Sequence, residues 1–327
     1  MKTRYIQKRI IGCYSFRLFA FACFIGLIMN QVSVIHAETG KSGASFLKIV
    51  PGARPVGMGG AYTAIASDIN ALYYNPAGIG GIRQSQLGAT HTEWLNNVNY
   101  DFAGGVIPTH NGAIGVSAVY LTTGKIEGRD ESGNQTGDFY SSDMAITFSG
   151  ARRLNSNTQV GGSVKALQQK IASETADGFA LDIGGTQRIS KKVHAGLAVK
   201  NVGPKMKFID EQYSLPVTIT MGTAYNLVGI FNLALDVSYE PVDKKRIISF
   251  GTEFWPKEFV ALRAGYLYQA VNALYDSSGD VTNNKINIHN GFGGGIGIKV
   301  LGHNLDYAIV PYSELGTTQR ISLQANF

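Results

Sequence analysis

The sequence predicts an all-β chain, a 14-stranded antiparallel transmembrane β-barrel with an N-terminal hatch plugging its lumen. Three observations carry that prediction. From Leu87 to the C-terminus apolar and polar residues alternate with period two, the mark of strands with two different faces. The connections between those strands sort by length, short after even-numbered strands and often long after odd-numbered ones. Eleven strand charges fall on the polar face, and the apolar faces of the clearest strands carry none.

The mature chain has to be delimited first. Lys2, Arg4, Lys8, Arg9 and Arg17 precede the apolar run Leu18 to Met29, and the following neutral stretch ends at Ala37. A basic region, a short apolar region and a small residue form a Sec signal peptide, so residues 1–37 are expected to be removed. The apolar run falls short of the roughly 20 residues of a spanning helix. Cys23 lies inside it rather than after it, which disfavours a lipoprotein signal. Cys13 and Cys23 leave with this segment, and with them any disulfide, zinc knuckle or thiol nucleophile. The five basic residues leave too, so the 29 Lys and Arg fall to 24 against 23 Asp and Glu, and no nucleic-acid partner is expected.

Residues 85–327 form the predicted barrel. Its strands are expected at 85–94, 99–107, 112–122, 138–150, 158–169, 177–189, 193–201, 215–226, 231–240, 245–254, 258–269, 285–300, 303–311 and 317–327. Each leaves room for the roughly 10 residues that a tilted strand needs to cross a bilayer, and an even count suits a bacterial barrel. In the clearest strand Phe231, Leu233, Leu235, Val237 and Tyr239 point one way, and Asn232, Ala234, Asp236, Ser238 and Glu240 the other. Lys165, Asp182, Arg188, Lys200, Asp236, Glu240, Glu253, Arg263, Lys299, Asp306 and Arg320 all fall on the polar, lumen-facing side. A Lys or Arg turned to lipid at midplane costs about 2–4 kcal/mol, so a barrel is expected to turn these charges inward, and the parity of loop length is a pattern that a soluble sandwich has no reason to show. The long connections 123–137, 202–214 and 270–284 are expected on the extracellular side. The final strand ends on Phe327, an aromatic terminus resembling the signal read by barrel assembly machinery.

Residues 38–84 are too short to fold alone yet rich in apolar side chains, so they need a surface. The lumen is the large one available, which makes them the hatch. A short helix is expected from Ala61 to Asp68, with turns at Pro51, Pro55 and Asn75-Pro76-Ala77-Gly78. The last turn is expected to return the chain to the wall.

The run "PVGMGGAYTAIASDINALYYNPAGI" resembles the hatch of the FadL family of outer-membrane transporters for hydrophobic compounds. Gly57, Gly59, Ala61, Tyr62, Ala66, Asp68, Asn75, Pro76 and Ala77 occupy that family's motif positions. "FLKIVPGARPVGMGGAY" with "ALYYNPAG", and "NVGPKMKF" followed by "LPVTITMGTAY", are closer to its PorV/PorQ subgroup. The resemblance implies an outer-membrane location, a fourteen-stranded barrel and a hatch. It also implies a hydrophobic small molecule as ligand, with Phe46, Leu47, Ile49, Val50 and Arg54 as its site, or alternatively a part in type IX secretion as a cargo shuttle or docking protein. A barrel with only a structural role at the surface is a third reading. The loops hold no basic cluster suited to a fatty-acid carboxylate; Lys48 and Arg54 in the hatch are the nearest candidates.

No enzyme is expected. "GMGG" and "GFGGGIGIK" lack the Gly-Lys-Ser/Thr ending of a phosphate loop, no Gly-x-Ser-x-Gly elbow occurs, and no two histidines share a face at metal-ligand spacing. Neither a cofactor nor a metal is expected. The partners are outer-membrane lipid, the barrel assembly machinery, and a hydrophobic small molecule or secretion-system proteins.

Overall fold

The computed structural model describes residues 42–95, 98–130, 132–270, 291–311 and 316–327. The expected signal peptide and the first residues of the strand expected at 285–300 lie outside them. Among the described residues eighteen strands form: β1 Gln86–Glu93, β2 Asn99–Thr109, β3 Gly112–Thr122, β4 Ile126–Arg129, β5 Gln135–Phe139, β6 Ser141–Arg153, β7 Thr158–Ile171, β8 Glu174–Arg188 and β9 Val193–Val202 come first. They are followed by β10 Met206–Phe208, β11 Glu211–Tyr213, β12 Thr218–Leu227, β13 Phe231–Glu240, β14 Lys245–Lys257, β15 Val260–Ala270, β16 Phe292–Val300, β17 His303–Pro311 and β18 Thr317–Asn326.

Fourteen of these strands close into one antiparallel barrel. The seam is β1 against β18, with Gln86 opposite Asn326 and Glu93 opposite Gln319. Closure satisfies every ladder and leaves no edge. The other four strands form two small hairpins inside long connections, β4 with β5 and β10 with β11. The alternation places the first of these partly within a strand expected from residue 138. The chain instead breaks at Tyr140, where Ser141 N–H donates to Thr123 Oγ1 at 3.0 Å and starts a new ladder.

The register sends side chains as the alternation predicts. Leu235 opposes Phe250 on the outside, and Asp236 opposes Ser249 on the inside. Apolar side chains on the outer face, such as Phe148, Phe179, Ile183 and Leu323, are exposed. Lys165, Asp182, Glu253, Arg263 and Arg320 on the inner face are buried. Turns of two to four residues join β2–β3, β6–β7, β8–β9, β12–β13, β14–β15 and β16–β17 at one end, and the hairpins stand at the other.

Residues 42–85 lie inside this wall. Their regular pieces are short: 3₁₀ turns at Ser45–Lys48 and Pro76–Gly81 and helical turns at Ala53–Gly57 and Ala71–Tyr74. The helix expected from Ala61 to Asp68 does not form. Gly59 and Gly60 precede it with φ of 63° and 83°, and the Thr63 carbonyl, which in a helix would accept from the N–H four residues on, is taken by a side chain. Asp236 Oδ2 accepts from Tyr62 N–H at 3.0 Å and Thr63 N–H at 2.9 Å, while Thr63 C=O accepts from Asn75 Nδ2 at 3.0 Å. The Asn75 contact replaces a helical bond, and Asp236 pairs two amides that would otherwise be costly to leave unsatisfied in a buried segment.

The fit depends on close approach of backbone to backbone. A Cβ on Gly265 of β15 would lie 2.0 Å from Gly59 N, and one on Gly184 of β8 would lie 2.0 Å from Asn75 Oδ1. Gly293 and Gly295 of β16 likewise face Val56 and Gly57. Replacing Gly265 by Val should therefore displace the inner segment by overpacking, at a cost of about 1–3 kcal/mol, and leave the wall intact. Hydrogen exchange is expected to quicken at residues 57–63 and stay unchanged in the wall strands. Unchanged protection of both would show that the segment is not seated against Gly265.

Candidate functional site

Two features of the interior have functional geometry, a charged network that ties the inner segment to the wall and a cavity above it. The network begins at Arg54, placed by the helical turn Ala53–Gly57. Its Nε and Nη2 donate to the two Glu253 oxygens at 2.8 and 2.9 Å, and its Nη1 donates to Asp68 Oδ2 at 2.9 Å. Arg263 Nε donates to the same Glu253 at 2.9 Å and its Nη1 to Asp306 at 2.6 Å. Asp68 also accepts from Tyr62 Oη at 2.7 Å and from the Asn70 backbone and side chain. Acid and base alternate along this chain, so each buried charge faces its opposite. Arg54 is held in this network and does not line the cavity.

The cavity, of about 340 Å³, lies between the inner segment and strands β9 and β12–β18. Leu47, Ile49, Val50 and Val56 supply its apolar side from the segment, joined by Leu267 and Val310 from the wall. Of the residues expected to bind ligand, Leu47, Ile49 and Val50 are thus brought together, whereas Phe46 is buried in the core. The polar side was not anticipated as a site. Lys200 Nζ sits 4.6 Å from the Tyr73 ring centroid and 5.7 Å from that of Tyr74, a cation held over aromatic faces. The tyrosines are fixed by donating to backbone carbonyls, Tyr73 Oη to Leu47 at 2.6 Å and Tyr74 Oη to Pro51 at 3.3 Å. Glu240, Lys245 and Arg320 complete the polar lining, and buried Glu240 Oε2 has no hydrogen-bond partner among the described residues.

This side of the cavity was partly legible. Alternation already turned Lys200, Glu240 and Arg320 inward, but their convergence on one cavity arises from barrel curvature across strands far apart in sequence. The basic groups absent from the loops come from the wall. A cavity with one apolar side and one side of separated charges suits an amphiphile, with its chain among Leu47, Ile49 and Val50 and its polar head near Lys200.

Asn75-Pro76-Ala77-Gly78 lies low in the interior. Asn75 is extended and caps the 3₁₀ turn, its Oδ1 accepting from Ala77 N–H at 3.2 Å with Pro76 as first turn residue. Its Nδ2 donates to Thr63 and Gly185 carbonyls at 3.0 and 3.1 Å, joining two parts of the segment to the wall. At the other end Gly43 N–H donates to Ser214 C=O at 2.9 Å. Lys48 Nζ and Ser42 Oγ donate to Asp243 Oδ2 at 2.6 and 3.0 Å, in the β13–β14 turn.

Burial tends to raise the Asp243 carboxyl, but the Lys48 ammonium and Ser42 hydroxyl outweigh it and hold it below its ordinary value. A depressed carboxyl stabilises the fold fully above its unfolded pKa of about 3.9, and that contribution is lost as pH falls through the lower folded value. Exchange at residues 42–48 is therefore expected to quicken at acid pH. Asp243→Asn should make it fast at neutral pH and remove the acid dependence. An identical acid response in that variant would assign the effect elsewhere.

Solved structures similar to this fold are barrels. The toluene transporter TbuX of Ralstonia pickettii is 14% identical with a TM-score of 0.60, covering 84% of this chain and 98% of its own. The toluene transporter TodX of Pseudomonas putida is 13% identical with a TM-score of 0.58, covering 89% and 98%. A FadL homologue of Pseudomonas aeruginosa is 11% identical with a TM-score of 0.59, covering 85% and 98%. At such identities the likeness is one of fold. No curated protein matches the chain. The family model described as type IX secretion system protein PorV matches residues 34–240, well over half the chain, and the protein therefore belongs to the PorV family.

Proposed function

We propose that this protein spans the bacterial outer membrane, that residues 38–84 act as its hatch, and that it passes a hydrophobic small molecule with a polar head across that membrane. The single observation that carries the reading is the cavity between segment and wall, apolar at Leu47, Ile49 and Val50 and charged at Lys200. Its support from outside the chain is the fold shared with barrels described as toluene transporters. Movement of the segment off the wall would connect the cavity to the short-turn end. No chemistry on the ligand is required, and the protein acts as a conduit rather than an enzyme.

Uptake into liposomes tests the transport step. Vesicles containing the protein are expected to take up decanoate faster than protein-free vesicles. Lys200→Met should slow that uptake by about tenfold, in line with loss of a charged hydrogen bond. Deleting residues 42–82 should abolish the dependence on Lys200. Uptake equal to protein-free vesicles, or equal in intact and deleted protein, would overturn the reading.

The spanning assignment has its own test. Leu235 sits mid-strand on the exposed apolar face, so Leu235→Arg would place a cation among acyl chains at about 2–4 kcal/mol. Reduced folding by heat-modifiable gel migration is expected, against normal folding of Leu235→Val. Equal folding of both would remove the assigned facing.

The family match favours a second reading, a docking part in type IX secretion. The hairpins β4–β5 and β10–β11 would supply its contact surface at the long-loop end. Crosslinking in intact membranes separates the two: a stoichiometric protein partner on these hairpins supports docking, and a lone barrel supports transport.

A further inference from the structure

The two ends of the barrel differ in charge. Counting each connection with its two flanking residues on either side, the long-loop end has eight basic and nine acidic residues among the described ones. The short-turn end, with Arg83 of the segment leading into β1, has eight basic residues and one acidic, Glu258. Five of those eight, Arg152, Arg153, Arg188, Lys191 and Lys192, sit on two neighbouring turns, β6–β7 and β8–β9.

These turns and the next one along the rim, β12–β13, border a cleft of about 520 Å³ that opens into the lumen mouth. Its floor is the inner segment at Ile65, Ala66 and Ser67. Its walls include Arg188, Lys191, Lys192 and His194, with amide side chains such as Asn157 and Asn226, and no acidic side chain lines it. Arg188 is occupied, donating to Asn157 Oδ1 at 2.9 Å and Ser156 C=O at 3.0 Å. Lys191 and Lys192 are exposed and make no ion pair among the described residues. The turns on either side carry exposed apolar tips, Leu154 on one and Val228 and Ile230 on the other. Val228 is 77% exposed and holds φ at 57°, a left-handed conformation that a β-branched side chain adopts only under strain. That φ belongs to the β12–β13 hairpin turn, where Val228 and Gly229 at 57° and 81° match Leu301 and Gly302 at 51° and 85°, and it leaves the Val228 side chain presented to solvent.

We propose that this cleft and its two apolar flanks are the docking site for an acidic peptide segment of a periplasmic protein, with carboxylates on Lys191 and Lys192 and apolar side chains on Leu154 and Val228. Charge complementarity selects the acidic partner. The position selects a peptide over lipid headgroups, because lipids surround the outside of a barrel and this basic cleft lies within its mouth. A segment seated there touches Ile65–Ser67 directly, so docking reports on, or acts upon, the inner segment from below. The inference is independent of which molecule occupies the upper cavity.

The test uses the full mature chain in nanodiscs, which leave both mouths open. The probe is a short fluorescein-labelled peptide with an acidic run flanked by leucines, compared with its Asn/Gln counterpart, by fluorescence anisotropy. The acidic peptide is expected to bind, to weaken with salt, and to lose about tenfold or more in affinity in Lys191→Glu/Lys192→Glu and measurably in Val228→Asn. Heat-modifiable migration and decanoate uptake should be unchanged in these variants, which separates this result from the transport reading. Absence of acidic-peptide binding, or equal binding by the variants, overturns the proposal. It is also overturned if the charge reversal alters only attachment to phosphatidylglycerol vesicles, or if decanoate displaces the peptide from the cleft.

Discussion

The interior of this barrel is organised by Glu253. One buried carboxylate accepts a two-pronged contact from Arg54 of the inner segment and a third bond from Arg263 of the neighbouring strand. Taking these charges out of water is expensive, and attraction offsets that cost only when every partner is in place. The network therefore acts as a registration device. The segment can be seated only where Arg54 meets Glu253, and Asp68 and Tyr62 then follow from the same guanidinium. Asp236, which accepts the Tyr62 and Thr63 amides, fixes the next stretch in the same way.

The steric side of the fit is complementary. The wall withdraws side chains where the segment's backbone must pass, at Gly184 and Gly265 among others, and the segment presents its own glycines in return. Polar anchors and bare backbone together leave one part of the lumen unfilled. The upper cavity exists because Tyr73 and Tyr74 are tied to the carbonyls of Leu47 and Pro51, which holds the apolar side chains of residues 47–50 away from Lys200. The same contacts that close the barrel thus define its binding space. The segment is held at the long-loop end by Asp243 and at the short-turn end by Asn75, so any displacement of it has to loosen one set of bonds.

The two faces of the wall divide two demands between them. The outer face is largely apolar, and the inner face carries ion pairs, amides and glycines. Turns at one end are short and basic, while the other end carries hairpins of mixed charge. A barrel with chemically different ends can meet different neighbours at each.

The sequence by itself determined the wall. Strand alternation has period two, so the residues of β13 and β18 declared their faces without reference to any neighbour, and the parity of loop length declared the two ends. It also determined that residues 38–84 needed a covering surface, from their apolar content. It did not determine how they fold. A helix over Ala61–Asp68 was reasonable on local grounds, but Thr63 gives its carbonyl to Asn75 and its amide to Asp236, some 170 residues away, and the segment follows those partners instead. The cavity was hidden for the same reason. Lys200, Glu240 and Arg320 are each visible as inward charges, yet their meeting point with Leu47 and Ile49 depends on which strands curve to face which part of the segment. Period and composition are local properties, whereas the partner of a buried charge is set by closure of the barrel, and only the tertiary structure contains that.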